Sequence, residues 1–535
     1  MISTAPPTTL AGGRNEDLSV ASSGESAGSS GAAPRARLAW GVAALVVCAL
    51  VVAAHGRFAA VDGRPPVDLN RCYQAVPELY SLLEGPSDLP TAIARAARLG
   101  TGAYDLVLAG TMRLAGRSVH VMHGFNLLWV ATVLGCGWLT ARRLFGAPAG
   151  LGAVVVLANA AGVVVMGRVG WIHVPELALL SVVLAALVHD PGLTRWRTAA
   201  VVALAGACAA TVRPSAVIWL STLAPLILWS IRGAPSLARQ GLRLGLVGAL
   251  WSLGLIPTAL ELPTYLDRKV SMRDRYADIA DSPALYHQLT GTLCLPVGWL
   301  SIAVGGLALA GVVVALVRAR RGRLRFVLLL GAWLTVPLAM QLYFVTGPED
   351  FPVLVLAAAV LGAGGLTRLH RLAVIVPLVL WIPVYAAQWI QAPAPTAEAA
   401  EAPRGGPFAD KANPVDHYRP FRALHFRQIL EHVDLACGQD RRKRCKVETY
   451  HGLFHPVGEA TGEFGLFLTG RENVEIVPLW SHMAAGHRRP PPDGYARYTC
   501  ADLEPHWDER FPGLAEREAT RLRDAPLQTL SLIHI

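Results

Sequence analysis

The chain has little charge. Of its 535 residues only 16% are Asp, Glu, Lys or Arg, while 53% are hydrophobic. A soluble domain of ordinary composition is about a quarter charged, so this balance points to lipid as the surrounding solvent. The motifs of several soluble chemistries are also absent. There is no HExxH pair, no paired CxxC, no P-loop and no glycine-rich phosphate loop after a strand. Nucleotide-sugar chemistry of a cytoplasmic, Rossmann-like kind is therefore unsupported. Acids are fewer than bases, and the net charge is +10, carried almost entirely by arginine. The arginines punctuate apolar runs instead of gathering on one domain, which argues against a nucleic-acid partner.

Cysteine is sparse and unevenly placed. Cys48, Cys136 and Cys208 lie inside apolar runs, where they serve as small hydrophobes. Cys72, Cys437, Cys445 and Cys500 lie in polar segments. If those segments face an oxidising compartment, Cys437 and Cys445 are spaced to close a short loop, although the pairing stays open.

What the chain does have is a series of apolar runs: 38–54, 119–140, 147–166, 171–189, 198–212, 215–231, 244–260, 294–317, 326–344, 351–366 and 372–390. A spanning helix needs about 20 residues at about 1.5 Å each, and most of these runs meet that length. The run at 38–54 follows Arg35 and Arg37 and starts too late for a secretory leader, so it is expected to be a retained first span. The runs 198–212 and 215–231 form a hairpin broken at Arg213-Pro214. The pattern predicts an all-α polytopic membrane protein of about eleven transmembrane helices.

Orientation follows from the short loops. With the amino end in the cytoplasm, Arg142, Arg143, Arg195, Arg197, Arg232, Arg239, Arg243, Arg318, Arg320, Arg321, Arg323, Arg325, Arg368 and Arg371 all fall inside, with Asp190 as essentially the one acid among them. The alternate loops carry Arg168, Arg213, the mixed stretch 261–290 and Glu349-Asp350. This asymmetry places the amino end in the cytoplasm and the carboxyl end outside.

Four segments follow. Residues 1–37, rich in Ser, Gly, Ala and Thr, are expected to be a disordered cytoplasmic tail. Residues 38–390 form the transmembrane domain and include an outer loop, 55–118, with two helix-like stretches at 71–84 and 89–115 suited to the membrane interface. Residues 391–529 open with a Pro/Ala/Glu linker and then alternate helix (421–436), strand (446–451), helix (458–469), strand (474–479) and helix (505–523). That alternation predicts a small C-terminal α/β extracytoplasmic domain. The last six residues, LSLIHI, resemble the in-frame translation of a transposon-end adapter used in sequencing libraries, so the natural chain is expected to continue past about residue 529.

Several stretches, in their order of appearance, resemble the GT-C superfamily of integral-membrane glycosyltransferases that use polyprenyl-phosphate sugars. Protein mannosyltransferases and the aminoarabinose transferase of lipid A belong to it. The stretches are VDLNRCYQAVPELY after span one, YDLVLAGTMRLAG before span two, TARRLFGAPAGLGAVVVLANA across spans two and three, RVGWIHVPELALLSVVLAALV at spans three and four, and ATVRPSAVIWL at the fifth-to-sixth turn. The resemblance covers roughly 38–390. It implies a GT-C-like fold and transfer of a hexose or pentose, with inversion, at the outer face of a bacterial inner (plasma) membrane. The donor is a polyprenyl-phosphate sugar, and the acceptor is a hydroxyl on a glycan, lipid or protein.

Such a reaction needs a carboxylate to take the acceptor's proton and fixed positive charge to hold the departing phosphate. The resemblance puts the catalytic carboxylate at Asp68, just after span one. The family often has an acidic pair there, whereas the next residue here is Leu69. Capping of the helix at 71–84 is the competing role for Asp68. Asp62 is the fallback, and Asp105 is expected on a solvated face.

Arg213, interrupting an apolar hairpin, is the candidate for the lipid phosphate, with snorkelling to the interface as the alternative. Arg168, His173 and Glu176 lie at the turn between spans three and four. There His173 and Glu176 share a helical face and line a donor pocket or simply open a polar helix. Tyr265 and Lys269, within 263–292, are candidate phosphate or sugar contacts in a stretch whose charges also suffice to pair with one another. VTGPEDFPVL stands where relatives frequently have Arg-Tyr followed by proline. His120 and His123 share a face, but no cysteine or carboxylate joins them at ligand spacing, so no metal site and no cofactor is assigned.

Two other readings stay open. One is a transporter or flippase of lipid-linked glycans, and the other is a GT-C-like envelope protein without catalysis.

Overall fold

The computed structural model describes residues 32–61, 72–83, 89–96, 102–169, 172–213, 215–231, 240–256, 292–295, 299–319, 323–344, 353–390, 445–449, 474–478 and 497–500, with the isolated positions 263 and 289. Each apolar run of the sequence carries a helix. These are α1 (Ala32–Val61), α5 (Val119–Phe145), the pair α6 (Ala147–Asn159) and α7 (Ala161–Val169), α8 (His173–His189), α9 (Trp196–Val212), α10 (Ala216–Ile231), α11 (Gln240–Ile256), α12 (Trp299–Val317), α13 (Leu324–Phe344), α14 (Val353–Leu369) and α15 (Ile375–Ile390). Among the described residues, three helices are long and apolar enough to cross a membrane by length and composition, or four if α6 and α7 count as one bent span. Seven further apolar helices are shorter, at 10–17 residues.

Between α1 and α5 lie three small helices: α2 (Cys72–Leu82), α3 (Leu89–Ala96) and α4 (Gly102–Ala115). The single stretch expected at 89–115 is thus two helices. Their apolar faces form a cluster of their own, in which Val76 and Leu79 of α2, Ala92 and Ala96 of α3, and Tyr104, Leu108 and Met112 of α4 pack on Met122 and Phe125 of α5. Ile172, just before α8, and Val212, the last residue of α9, complete the cluster. The small helices therefore sit across the ends of α5, α8 and α9, and they roof one end of the bundle.

The middle of the bundle is α14, whose residues Val353–Leu366 are all buried. Small residues let it approach α12 closely. A Cβ added at Gly311 would strike the carbonyl of Gly362, and one added at Gly362 would strike the carbonyl of Ala308. Backbone-to-backbone contact of this kind is how helices pack where lipid tails compete for every apolar face.

The run 147–166 reads as one span, yet it bends by 56° between α6 and α7. Asn159 holds the break. Its Nδ2 donates to the carbonyls of Leu293 (3.1 Å) and Ser301 (3.0 Å), and its Oδ1 accepts from the Ser301 hydroxyl at 2.9 Å. The Ser301 Oγ in turn accepts the Leu295 N–H at 2.7 Å. All of these groups are buried, and each bond satisfies an atom that lipid or apolar packing would leave stranded.

In the tail, strands β1 (Cys445–Thr449) and β2 (Val474–Pro478) fall where the sequence places them, and a third, β3 (Arg497–Cys500), was not anticipated. They form a parallel sheet in the order β2-β1-β3. Parallel neighbours need crossover connections. The helices expected at 421–436, 458–469 and 505–523 lie outside the described residues, as does most of the tail 1–37 expected to be disordered; its last residues, 32–37, are instead helical and open α1.

Candidate functional site

The turn between α9 and α10 follows from local chemistry. A residue before proline is pushed out of the helical region, and Arg213, before Pro214, is extended at φ −157, ψ 142. Helix α9 therefore ends there. Its partner α8 begins at His173, with Pro175 tolerated in the first turn and Glu176 placed where a helix N-terminus favours negative charge. Because α8 and α9 are joined by the short turn 190–195, the start of one lies beside the end of the other, about 25 Å along the helices from that turn.

Three buried polar side chains meet at this junction. Glu176 is fully enclosed, Ser215 is 3% exposed and Arg213 is 5% exposed. The Ser215 hydroxyl donates to Glu176 Oε1 at 2.7 Å, and Arg213 Nη1 stands 3.9 Å from Glu176 Oε2. His173, one turn before Glu176, is also buried. Arg213 thus turns inward to a carboxylate, and the snorkelling alternative does not describe its side chain.

Asp105 is a correction. It was expected on a solvated face, and instead it is fully buried in α4, because α4 packs between the other small helices and the ends of α5 and α9. Its neighbour Tyr104 donates its hydroxyl to Asn126 Oδ1 at 3.3 Å, and the Tyr104 ring lies 5.5 Å from that of Phe125. His123 and Asn126 of α5 are buried in the same layer. In sequence, Tyr104-Asp105, Met122-His123, Ile172-His173 and Val212-Arg213 are each an apolar residue followed by a polar one. The apolar members are shared by one cluster, so their polar neighbours are gathered around it. No period-based reading of the sequence could have collected them.

The structure places the other candidates as follows. Arg168 lies near the end of α7, one residue after Gly167, where an added Cβ would lie 3.7 Å from Cε1 of His55 on α1. Asp68, Asp62, Tyr265 and Lys269 lie outside the described residues. Among the described residues no group of three or more His, Cys, Asp or Glu stands as a metal site.

Solved structures are similar to this chain. The apo crystal structure of ArnT from Cupriavidus metallidurans is 15% identical, with a TM-score of 0.43, covering 91% of this chain and 89% of that one. The oligosaccharyltransferase of Archaeoglobus fulgidus, in complex with Zn and sulfate, is 12% identical at a TM-score of 0.45, covering 81% of this chain and 62% of that one. The arabinofuranosyltransferase AftD from Mycobacteria is 20% identical at a TM-score of 0.40, covering 77% of this chain and 29% of the larger protein. No protein-family model matches the chain, and no curated protein matches it by sequence. At such identities and TM-scores the likeness decides neither activity nor substrate, and the chemistry of the junction rests on its own residues.

Proposed function

We propose that the chain is a glycosyltransferase of a bacterial inner membrane. On this reading it crosses the bilayer about eleven times, with its amino end in the cytoplasm and its C-terminal domain outside. It moves a sugar from a polyprenyl-phosphate donor to an acceptor hydroxyl at the outer face. The acceptor oxygen attacks the anomeric carbon, its proton passes to the carboxylate of Asp68, and the bond from that carbon to the phosphate oxygen breaks with inversion. The lipid phosphate leaves with the bonding electron pair, and the guanidinium of Arg213 offsets its charge. Arg168, Tyr265 and Lys269 would add contacts to the donor, and the tail domain would help to bind the acceptor.

The observation that carries this reading is the enclosed Arg213. A buried guanidinium costs free energy unless it is paired, and this one sits at the end of the bundle opposite the arginine-rich loops. That end is the outer face if those loops are cytoplasmic. The test is transfer of a labelled sugar from a lipid-linked donor in membranes holding the full chain. Asp68→Asn is expected to abolish it. Unchanged transfer would remove Asp68 from the mechanism, and no transfer from any polyprenyl-phosphate sugar by the unaltered chain would end the proposal.

The bent pair α6–α7 favours a second reading, since discontinuous helices are a device of transporters. Its break is held by the neutral groups Asn159 and Ser301, not by ionisable ones, so transfer remains the better account. Movement of a labelled lipid-linked glycan across proteoliposomes without covalent transfer would reverse that order.

A further inference from the structure

The two oxygens of the Glu176 carboxylate are treated differently. Oε1 is held by the Ser215 hydroxyl at 2.7 Å, a short, charge-assisted hydrogen bond. Oε2 faces Arg213 Nη1 at 3.9 Å, beyond the range of an N–H···O hydrogen bond. Between these two atoms there is an ion pair but no hydrogen bond.

The anchoring has a structural cause. Ser215 is fixed in the turn where its own carbonyl accepts the Ile218 N–H at 3.0 Å, while the Arg213 carbonyl accepts the Ala216 N–H at 3.1 Å. The carboxylate is thus tied to the start of α10. Arginine reaches farther than glutamate, and its flat fork suits a phosphate as well as a carboxylate.

We propose that Glu176 is the resident counter-ion of Arg213, which the phosphate of an incoming lipid monophosphate replaces and which takes the charge back when that lipid leaves. Ser215 sets the balance by keeping the carboxylate from closing on the guanidinium. Glu176 is then a positioning residue, not a catalytic one. The proposal rests on reading Arg213 as the phosphate-binding residue.

The experiment measures equilibrium binding of farnesyl phosphate to the full chain purified in detergent, with inorganic phosphate alone as the comparison. Glu176→Gln keeps an acceptor for the Ser215 hydroxyl and removes the charge. Binding is expected to tighten about tenfold, and KM and kcat for transfer should fall together because the lipid phosphate leaves slowly. Ser215→Ala frees the carboxylate to close on Arg213, and binding should weaken about threefold to tenfold with kcat retained. A purely packing role would weaken binding in both variants. Two shifts of the same sign, or none in folded protein, would overturn the proposal. If Glu176→Gln fails to accumulate, Ser215→Ala decides alone, since unchanged or tighter binding there is equally fatal. Arg213→Ala separates the two ideas. Binding unaffected by that change would remove the phosphate reading of Arg213 itself, whereas binding lost with Arg213 but unmoved by the other two variants removes only the counter-ion. An inorganic phosphate response as large as that of the lipid would show that the site takes free phosphate instead.

Discussion

The two ends of the helical bundle use arginine in different ways. At one end, arginines bond to backbone. Arg368 Nη1 donates to the carbonyls of Ala315 (2.9 Å) and Arg318 (2.6 Å), Arg318 donates back to the carbonyl of Arg368 (3.3 Å), and Arg243 donates to the carbonyl of Leu193 (3.0 Å). Several also lie over aromatic rings, with Arg368 5.2 Å from Phe145, Arg243 5.2 Å from Trp196 and Arg142 5.2 Å from Trp138. Arg318 and Arg368 cap helix C-termini, whose last carbonyls have no partner within the helix, and Arg243 holds the turn between α8 and α9. At the other end Arg213 stands in a different setting. It is enclosed beside a carboxylate that a serine holds. The same side chain does structural work where it closes helices, and on the function proposed above it serves chemistry where it faces another charge. What separates the two uses is the partner, not the residue type.

The strongest way to break this comparison is to delete one arginine from each end. Arg213→Ala is expected to reduce transfer from a lipid-linked sugar on the order of 100-fold, whereas Arg368→Ala should leave transfer intact and lower thermal stability in detergent. Equal losses of transfer in both variants would erase the distinction. Glu176→Ala should be the most damaging to folding, at about 3–5 kcal/mol, because it leaves a buried cation without its counter-charge. Denaturation in mixed micelles measures this. Asn159→Ala, at the bend between the two ends, is expected to cost about 1–3 kcal/mol for the carbonyls and hydroxyl it strands, with an effect on transfer smaller than that of Arg213→Ala.

How much of this could be read from sequence follows from the range of each interaction. The apolar runs were legible because apolar continuity is local, and the arginine-rich loops were legible for the same reason. The strands at Cys445–Thr449 and Val474–Pro478 were visible in their β-branched content, but Arg497–Cys500 is only four residues long, too short a run for its alternation to stand out. The bend at Asn159 left a trace, a single amide in an apolar run, whose partners Leu293 and Ser301 lie more than 130 positions away. Asp105 was misplaced because periodicity shows which face of a helix is polar but not what lies on it. The meeting of Glu176 with Ser215 spans 39 residues and depends on antiparallel packing of α8 and α9. Glu176 was flagged, and its contact with Ser215 was not.

The arginine-rich end supplies a smaller test, through its one acid. Asp190 accepts the N–H groups of Thr194 and Arg195, each at 2.9 Å, and the Thr194 hydroxyl at 2.9 Å. Burial pushes its carboxyl upward. Against that, the bonds from the Thr194 and Arg195 backbone and from the Thr194 and Thr198 hydroxyls push it down, and the downward pull wins, leaving it below the ordinary 3.8. A depressed carboxyl contributes stability that is complete above its unfolded value and is lost as pH falls through the folded one. The contribution should thus be whole at neutral pH and fade below about pH 4. Asp190→Asn is expected to lower thermal stability at pH 7 modestly and to flatten its fall on acidification, with transfer unaffected. A variant whose stability tracks the parent at both pH 7 and pH 3.5 would mean that the turn is held by backbone alone. The smallest effect belongs to Arg368→Lys, which keeps the charge and loses the long planar guanidinium whose Nη1 reaches two carbonyls. The cost should be about 1 kcal/mol. If lysine were instead as good as arginine there, charge alone would explain that end of the bundle, and the contrast with Arg213 would rest on burial rather than on bonding.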